Sequence, residues 1–366
     1  MARVGERPYD RLFAILSGAL VIAGFFMLSS ASLGSSVARF QTPYYFLMHQ
    51  IVMGLIPGVF LFLITSHIDY HRWRVFALPL LLASLVLVSL VFVPGLGLSH
   101  GGARRWLDLG PVSFQPSELL KFAYIAYLAA WFEGKAKQLN SFMLGVLPFL
   151  FMNLFVGFFI IKQPDMGTLM VLLIAAAGLW VISGTSLRNV SILICIAVVL
   201  LGIVAIVEPY RLNRIKVFLD PTHDLQGSGY QVRQALIAVG SGGVWGKGFA
   251  LSDQKYNYLP EPIGDSIFAV IAEEVGFIGA TSIVLLFILF YLRGAAIVRK
   301  APDQFGYFLG MGILFLIIAQ VLINISAIIG LIPLTGIPLS FVSYGGSALM
   351  VTLAELGIIF NISRHI

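Results

Sequence analysis

Charge is what this chain has least of. Asp, Glu, Lys and Arg make up 11% of its 366 residues, against 59% hydrophobic, too little polar surface to coat a water-soluble globule. Cysteine is nearly missing as well: Cys195 stands alone inside an apolar run, which excludes an intramolecular disulfide. No linker, low-complexity tract or composition break sets off a second domain, and no internal repeat of the transporter kind is visible. One membrane domain over 1–366 is expected. Several catalytic signatures are lacking too. Gly246-Lys247 fails as a P-loop, because Ser241 stands where Gly is needed and Gly248 where Ser or Thr is needed. His67 and His71 have no flanking ligands and there is no Asp-x-Asp motif, so no metal site is predicted. Without a G-x-S-x-G elbow or a Cys/His pair, covalent acyl transfer has no visible nucleophile.

What is present is a series of apolar runs, about ten by length, at roughly 12–33, 46–66, 75–94, 117–132, 142–161, 167–184, 190–207, 266–292, 305–330 and 344–362. They are long and rich in Leu, Ile and Phe, whereas a barrel would alternate in segments of about ten residues. The expected fold class is therefore all-α, a polytopic integral membrane protein. Arg3, Arg7 and Arg11 precede the first run like the basic head of a signal peptide, but the run is too long for one, and a retained first helix is expected.

The net charge of +6 does not read as a nucleic-acid footprint. Arg72, Arg74, Lys135, Lys137, Arg188, Arg293, Arg299, Lys300 and Arg364 fall in the same alternate gaps as the N-terminus, while Arg39, Arg104, Arg105 and Lys162 hold the others. The positive-inside rule then predicts both termini in the cytoplasm. The one long interruption, about 208–264 between helices 7 and 8, is expected outside and structured. It carries a short interfacial helix over Pro209 to Phe218, with Arg211, Arg214 and Lys216 on it, and a second over Tyr230 to Val239.

The outer gaps hold the residues able to do chemistry. Glu118 and Lys121, three apart, share a helix face; they are either a self-neutralising pair that fixes packing or a pair lining a working cavity. Asp265 opens the eighth helix, where an Asp is often only an N-cap. Glu273 and Glu274, two turns further in, cannot both face lipid. Asp165 is read locally as the cap of the sixth helix. Arg233 either binds phosphate or snorkels to headgroups, and Arg104, Arg105 and Trp106 have the composition of an interfacial anchor.

Taken together and in order, Gly102-Ala103-Arg104-Arg105-Trp106, Phe114-Gln115-Pro116-Ser117-Glu118-Leu119-Leu120-Lys121, Gln163-Pro164-Asp165, Phe218-Leu219-Asp220-Pro221, Tyr258-Leu259-Pro260-Glu261, Phe268 to Glu274 and Ser343-Tyr344-Gly345-Gly346-Ser347 resemble the SEDS family of bacterial cell-wall glycosyltransferases, which includes RodA and FtsW. The likeness spans nearly the whole chain. Pro94-Gly95-Leu96-Gly97, Pro43 to Phe46 and Thr335 to Leu339 look more like the division member, FtsW.

The resemblance implies a peptidoglycan polymerase of the bacterial cytoplasmic membrane, working at its outer face and at the division septum. Glycan would pass from undecaprenyl diphosphate to the GlcNAc 4-hydroxyl of lipid II. Asp265 takes the position of the family's essential aspartate and is expected to be the base, with Lys121 and Glu118 orienting it across a cavity. Arg104, Arg105 and Arg233 are the candidates for the diphosphates, and Trp106, Gln115, Ser117, Asp165, Glu261, Ser343, Tyr344 and Ser347 complete the implied substrate site. The family's His and Thr before the aspartate are replaced here by Pro262-Ile263-Gly264, and His49 precedes Gln50 where an Arg is common in division members.

A diphosphate leaves without a general acid, so one carboxylate suffices, unlike the pair of a glycosidase. No cofactor is evident, though a divalent cation, Mg or Mn, bridging diphosphate and Glu118 or Asp165 stays open. The implied partners are a class B penicillin-binding protein, a transpeptidase, and other divisome membrane proteins. A lipid II flippase and a non-catalytic division scaffold are the alternatives, and outer clustering of the polar motifs speaks against alternating access.

Overall fold

The computed structural model describes residues 9–100, 103–110, 112–220, 223–224, 226–256 and 258–366. Arg3, Arg7, Gly102 and Pro221, named above, lie outside the described residues.

The apolar runs become helices α1 (Arg11–Phe40), α2 (Tyr45–Gln50), α3 (Ile56–His67), α4 (His71–Leu90), α5 (Pro116–Lys135), α6 (Leu147–Lys162), α7 (Met166–Ile182), α8 (Leu187–Val207), α11 (Ile267–Val298), α12 (Gln304–Ile328) and α13 (Gly346–Arg364). A wide π-turn at Ile51–Leu55 joins α2 and α3 into one apolar rod. Seven of these rods are long and apolar enough to cross a bilayer. α5 carries Glu118, Lys121, Glu133 and Lys135, and α7 has only 17 residues. The long interruption supplies two more helices at nearly the expected bounds, α9 (Pro209–Leu219) and α10 (Ser228–Ser241).

One feature departs from all-helix. Gly97–His100 (β1), Ala103–Asp108 (β2) and Ser113–Phe114 (β3) form a small antiparallel sheet in the order β1-β2-β3. Arg104, Arg105 and Trp106 thus ride a strand rather than an unstructured anchor. Strand alternation sends Arg104 and Arg105 to opposite faces: Arg105 goes with buried Ala103 and Leu107, while Arg104 is exposed.

α12 is the central pillar, buried over most of its length, with α5, α7 and α11 around it. At one end of the bundle the N-cap Asp10 accepts from Phe13 N at 2.8 Å and from Arg293 Nε at 3.0 Å. Tyr70 N donates to Asn361 Oδ1 at 2.9 Å at that same end. The opposite end gathers the sheet, α9, α10 and two irregular segments.

The first segment, Ile329 to Gly345, turns back into the bundle instead of staying at its surface. Gln320 Nε2 donates to Pro338 O at 2.9 Å and Asn324 Nδ2 to Ile337 O at 2.8 Å, although Gln320 lies two turns inside the end of α12. Non-helical backbone at that depth needs protein partners, and these two amides supply them. The second segment, 242–266, lies against a break in α11. Gly276 has φ +66°, and a Cβ there would stand 2.2 Å from Gly246 N, so only glycine fits. The carbonyls freed from the helix, Glu273 O and Glu274 O, each accept at 2.9 Å from Lys247 N and Gly248 N.

Candidate active site

Asp265 does not cap α11; Ser266 is the N-cap residue and makes no side-chain cap bond. The capping reading of Asp265 is thereby removed, and its carboxylate is available for other work. Gln231 Nε2 of α10 approaches Oδ1 at 3.3 Å and Oδ2 at 3.4 Å, and Ser266 Oγ donates to Oδ1 at 3.3 Å. Its backbone carbonyl accepts from Asn324 Nδ2 at 2.7 Å, which fixes the residue on the central pillar. Burial pushes the Asp265 carboxyl up to about 6, helped by the Glu261 carboxylate and opposed by Arg214, Gln231 and Ser266. A carboxylate so placed is ionised at neutral pH yet basic enough to accept a proton.

The cation at this carboxylate is Arg214 of α9. A Cβ built on Gly336 would stand 3.7 Å from Asp265 Oδ2 and 3.8 Å from Arg214 Nη2, so both charged groups border the same position over the re-entrant loop. Arg214 is held there by Leu334 O, 2.6 Å from Nη1, and by the Tyr210 hydroxyl. Its Nε is buried and has no protein partner. The sequence put Arg214 on an amphipathic helix and assigned it nothing, because its acceptor lies 120 residues away in the chain.

Lys121, expected to orient Asp265, does not reach that carboxylate. Its Nζ lies 2.9 Å from Glu118 Oε2 and 2.6 Å from Gln320 Oε1, and all three side chains are buried. Gln320 in turn holds Pro338 O while Asn324, one turn along, holds Asp265 O, so Glu118 and Lys121 brace the floor of the site. Glu355 of α13, overlooked in the sequence, is buried beside Lys121 and Glu118 and feels both charges. An acid alone in an apolar run was its only signal. Gln320 and Asn324, amides four apart in a spanning helix, gave a similar unused signal.

Arg233 does not join Gln231 at Asp265. It is exposed on α10, two residues from Gln231, and two helical steps turn a side chain by about 200°, away from Asp265. Arg104 is likewise exposed on the outer face of its strand. Arg105 instead lies at the start of α7, donating to Gln163 O at 3.3 Å and to Pro164 O, 3.9 Å from Asp165 Oδ2. Asp165 caps α7 through Thr168 N at 3.1 Å and accepts from the Thr168 hydroxyl at 2.9 Å. Trp106 pairs across the sheet with Leu98.

The remaining motif residues frame the site. Ser343 Oγ donates to Gly264 O at 2.6 Å and accepts from Leu339 N at 2.7 Å, and Tyr344 N donates to Ile263 O at 2.8 Å. The Tyr344 hydroxyl meets His49 Nδ1 at 2.9 Å. Ser347 Oγ accepts from Gln115 N at 3.1 Å, Ser117 Oγ is buried without a protein partner, and Glu261 is exposed. Glu273 and Glu274 belong elsewhere: they pair with Lys247 and Lys255, each at 2.6 Å, and pin the outer segment to α11. No group of three or more His, Cys, Asp or Glu able to hold a metal occurs among the described residues. Glu118 and Asp165, the carboxylates considered for a bridging cation, are engaged by Lys121 and Thr168, so they do not fit that duty.

The sequence profile of the FtsW/RodA/SpoVE cell cycle protein family matches residues 10–366. The chain belongs to this family. Stage V sporulation protein E of Bacillus subtilis is 40% identical over 358 residues, 97% of each chain. A probable peptidoglycan glycosyltransferase FtsW of Geobacter sulfurreducens is 37% identical over 358 residues, covering 98% of this chain and 96% of the relative. Among solved structures, a chain of a peptidoglycan synthase complex that coordinates polymerization and crosslinking superposes with a TM-score of 0.79 at 28% identity, covering 97% of this chain and 98% of that one. The rod shape determining protein RodA of Thermus thermophilus superposes at 0.71 and 28% identity, with 97% of both chains covered. This FtsW/RodA/SpoVE protein is thus an integral membrane protein with the helical fold of its relatives.

Proposed function

We propose that this protein is a peptidoglycan glycosyltransferase of the cytoplasmic membrane that serves cell division. It transfers the growing glycan from undecaprenyl diphosphate to the GlcNAc 4-hydroxyl of lipid II at the outer face, in a ten-span, N-in/C-in topology. The observation that carries the reading is Asp265, its carboxyl raised to about 6, with the Arg214 guanidinium close by, both within 4 Å of the position a Cβ on Gly336 would take, at the polar end of the bundle. Asp265 takes the proton of the acceptor hydroxyl as that oxygen attacks the donor's anomeric carbon. The carbon–oxygen bond to diphosphate breaks, the bonding pair leaves with the diphosphate, and the configuration inverts. Arg214 stabilises the departing charge with its guanidinium fork. Glu118 and Lys121 act through Gln320 on the loop beneath the base and are positioning residues. A class B penicillin-binding protein and other divisome membrane proteins are the partners this reading calls for.

The test is polymerisation of labelled lipid II by the purified protein with its cognate transpeptidase, wild type against Asp265→Asn at matched folding. Polymer from wild type and a loss of about 10²–10⁴-fold in the variant is expected; equal polymer from both removes Asp265 as base. No polymer from either moves weight to transport or scaffolding. A chelator arm decides whether a divalent cation is needed.

A further inference from the structure

Pro262, Ile263 and Gly264 precede Asp265 and have no side-chain donor to offer its carboxylate. The donors come from α10 and from the start of α11. Gln231 Nε2 stands 3.3 Å from Oδ1, 3.4 Å from Oδ2 and 3.1 Å from Ser266 Oγ, and Ser266 Oγ donates to Oδ1 at 3.3 Å. A serine at a helix start ordinarily accepts from the backbone N–H groups of the first turn. Ser266 is fully buried and makes no such bond, so its hydroxyl accepts from Gln231 and passes its own proton to Asp265. The Gln231 amide has two hydrogens: one serves Ser266, and the other is shared between the carboxylate oxygens. Oδ1 therefore has two donors. Oδ2 has only its share of one amide hydrogen, and it lies 3.7 Å from the position a Cβ on Gly336 would take.

Gln231 is itself held. Asp224 accepts from Gly227 N at 2.8 Å and from Ser228 N at 2.9 Å, closing the start of α10, and Asn213 Nδ2 of α9 donates to the same carboxylate at 3.2 Å. Ala235 and Ala238, four and seven residues beyond Gln231, are buried, and α10 packs on α11, so Gln231 lies on the helix face turned to the bundle. Asn213 adjoins Arg214. α9 and α10, tied at Asp224, thus bring a cation and an amide to one carboxylate.

We propose that Gln231 is a positioning residue for the base: with Ser266 as its relay it fixes the Asp265 carboxylate by Oδ1 and leaves Oδ2 to take the proton of the acceptor hydroxyl. The inference rests on the glycosyltransferase reading and says how its base is held. The charged groups that act on this carboxylate are Glu261, from the segment before it, and Arg214 of α9. α12 offers the residue only the neutral amide of Asn324, and Arg233 of α10 is turned away.

The test is a charge series, Gln231→Lys, Gln231→Leu and Gln231→Glu, with Ser266→Ala beside it, compared with wild type at matched folding in the lipid II polymerisation assay. The acid limb of the pH–rate profile should lie lowest in Gln231→Lys, then wild type, then Gln231→Leu, and highest in Gln231→Glu, with about one pH unit between Gln231→Leu and either charged variant. Gln231→Leu should keep KM for lipid II and lose about 10–10²-fold in kcat on the plateau, and Ser266→Ala should move the limb upward by less. Lower rates with an unmoved limb, or a raised KM in place of the lowered kcat, overturn the proposal. The same carboxyl can be read without turnover, from the difference in melting temperature between each protein and its Asp265→Asn counterpart as pH is varied. A difference that shifts with the charge at 231 while no polymer forms keeps the positioning and sinks the glycosyltransferase reading; a difference that stays in place sinks the positioning.

Discussion

Asp265 is a part-exposed residue whose carboxyl is nonetheless raised, and the raise has consequences for rate and for stability. Polymerisation should fall as pH drops through about 6, because the base is then protonated. Arg214 opposes the raise, so Arg214→Gln should move that acid limb to higher pH and cut kcat by roughly 10²-fold; a pH–rate profile of both proteins checks it. The stability sign is the reverse. A carboxyl raised above its unfolded value favours the fold below about 3.8, and that contribution is lost as pH rises through about 6. Asp265→Asn, inactive, should therefore melt higher than wild type at pH 7.5, the difference vanishing below pH 4. The aspartate was legible in the sequence through its motif, but neither Arg214 nor Gln231 was, because they reach it from helices that precede it by tens of residues.

The most instructive elements are the broken helix α11 and the loop that turns back beneath Asp265. The pair of exposed Lys247 with buried Glu273 and the fully buried pair Lys255–Glu274, with Ser30 of α1 donating to Glu274 Oε1 at 2.6 Å, hold the 242–256 segment to both helices. Removing one partner strands a buried charge, a cost of about 3–5 kcal/mol. Lys255→Ala and Gly276→Ala should each lower the melting temperature by several degrees, measured in detergent by tryptophan fluorescence. The second does so by driving a Cβ into the backbone at Gly246. The sequence required only that Glu273 and Glu274 not both face lipid, and the structure meets that by pairing each with a lysine. It located α9 and α10 within a few residues, since a stretch of interleaved basic and apolar residues needs no tertiary partner to be recognised.

Among the described residues, buried charge gathers chiefly in two places, at Lys255, Glu273 and Glu274 beside the outer segment and at Glu118, Lys121 and Glu355 where α5, α12 and α13 meet. Lys121 is the one cation at Glu118 and Glu355 among the contacts described there, so Lys121→Met should destabilise the protein by about 3–5 kcal/mol, and Lys121→Arg by less. Loss of polymerisation in a Lys121→Arg protein that stays folded would mark its grip on Gln320, and hence on the loop under the base, as the feature that matters. Membrane orientation is testable at the same scale. In a Cys195→Ser background, an impermeant maleimide added to intact cells should label Asp253→Cys and leave Lys137→Cys unlabelled until the membrane is opened; the opposite pattern inverts the topology.

The sequence by itself determined the membrane character, the helical class, the bounds of most helices and the end of the bundle where polar motifs gather. Those properties follow from local hydropathy and from the rule that lipid leaves no backbone group unpaired. Only the tertiary structure decided that Asp265 is free of capping, that Arg214 rather than Arg233 stands beside it, and that Lys121 acts through Gln320. It also added a small sheet that sends Arg104 and Arg105 apart. Each of these depends on which faces of distant helices meet and on where a loop re-enters the bundle, and neither is encoded in the spacing along one segment.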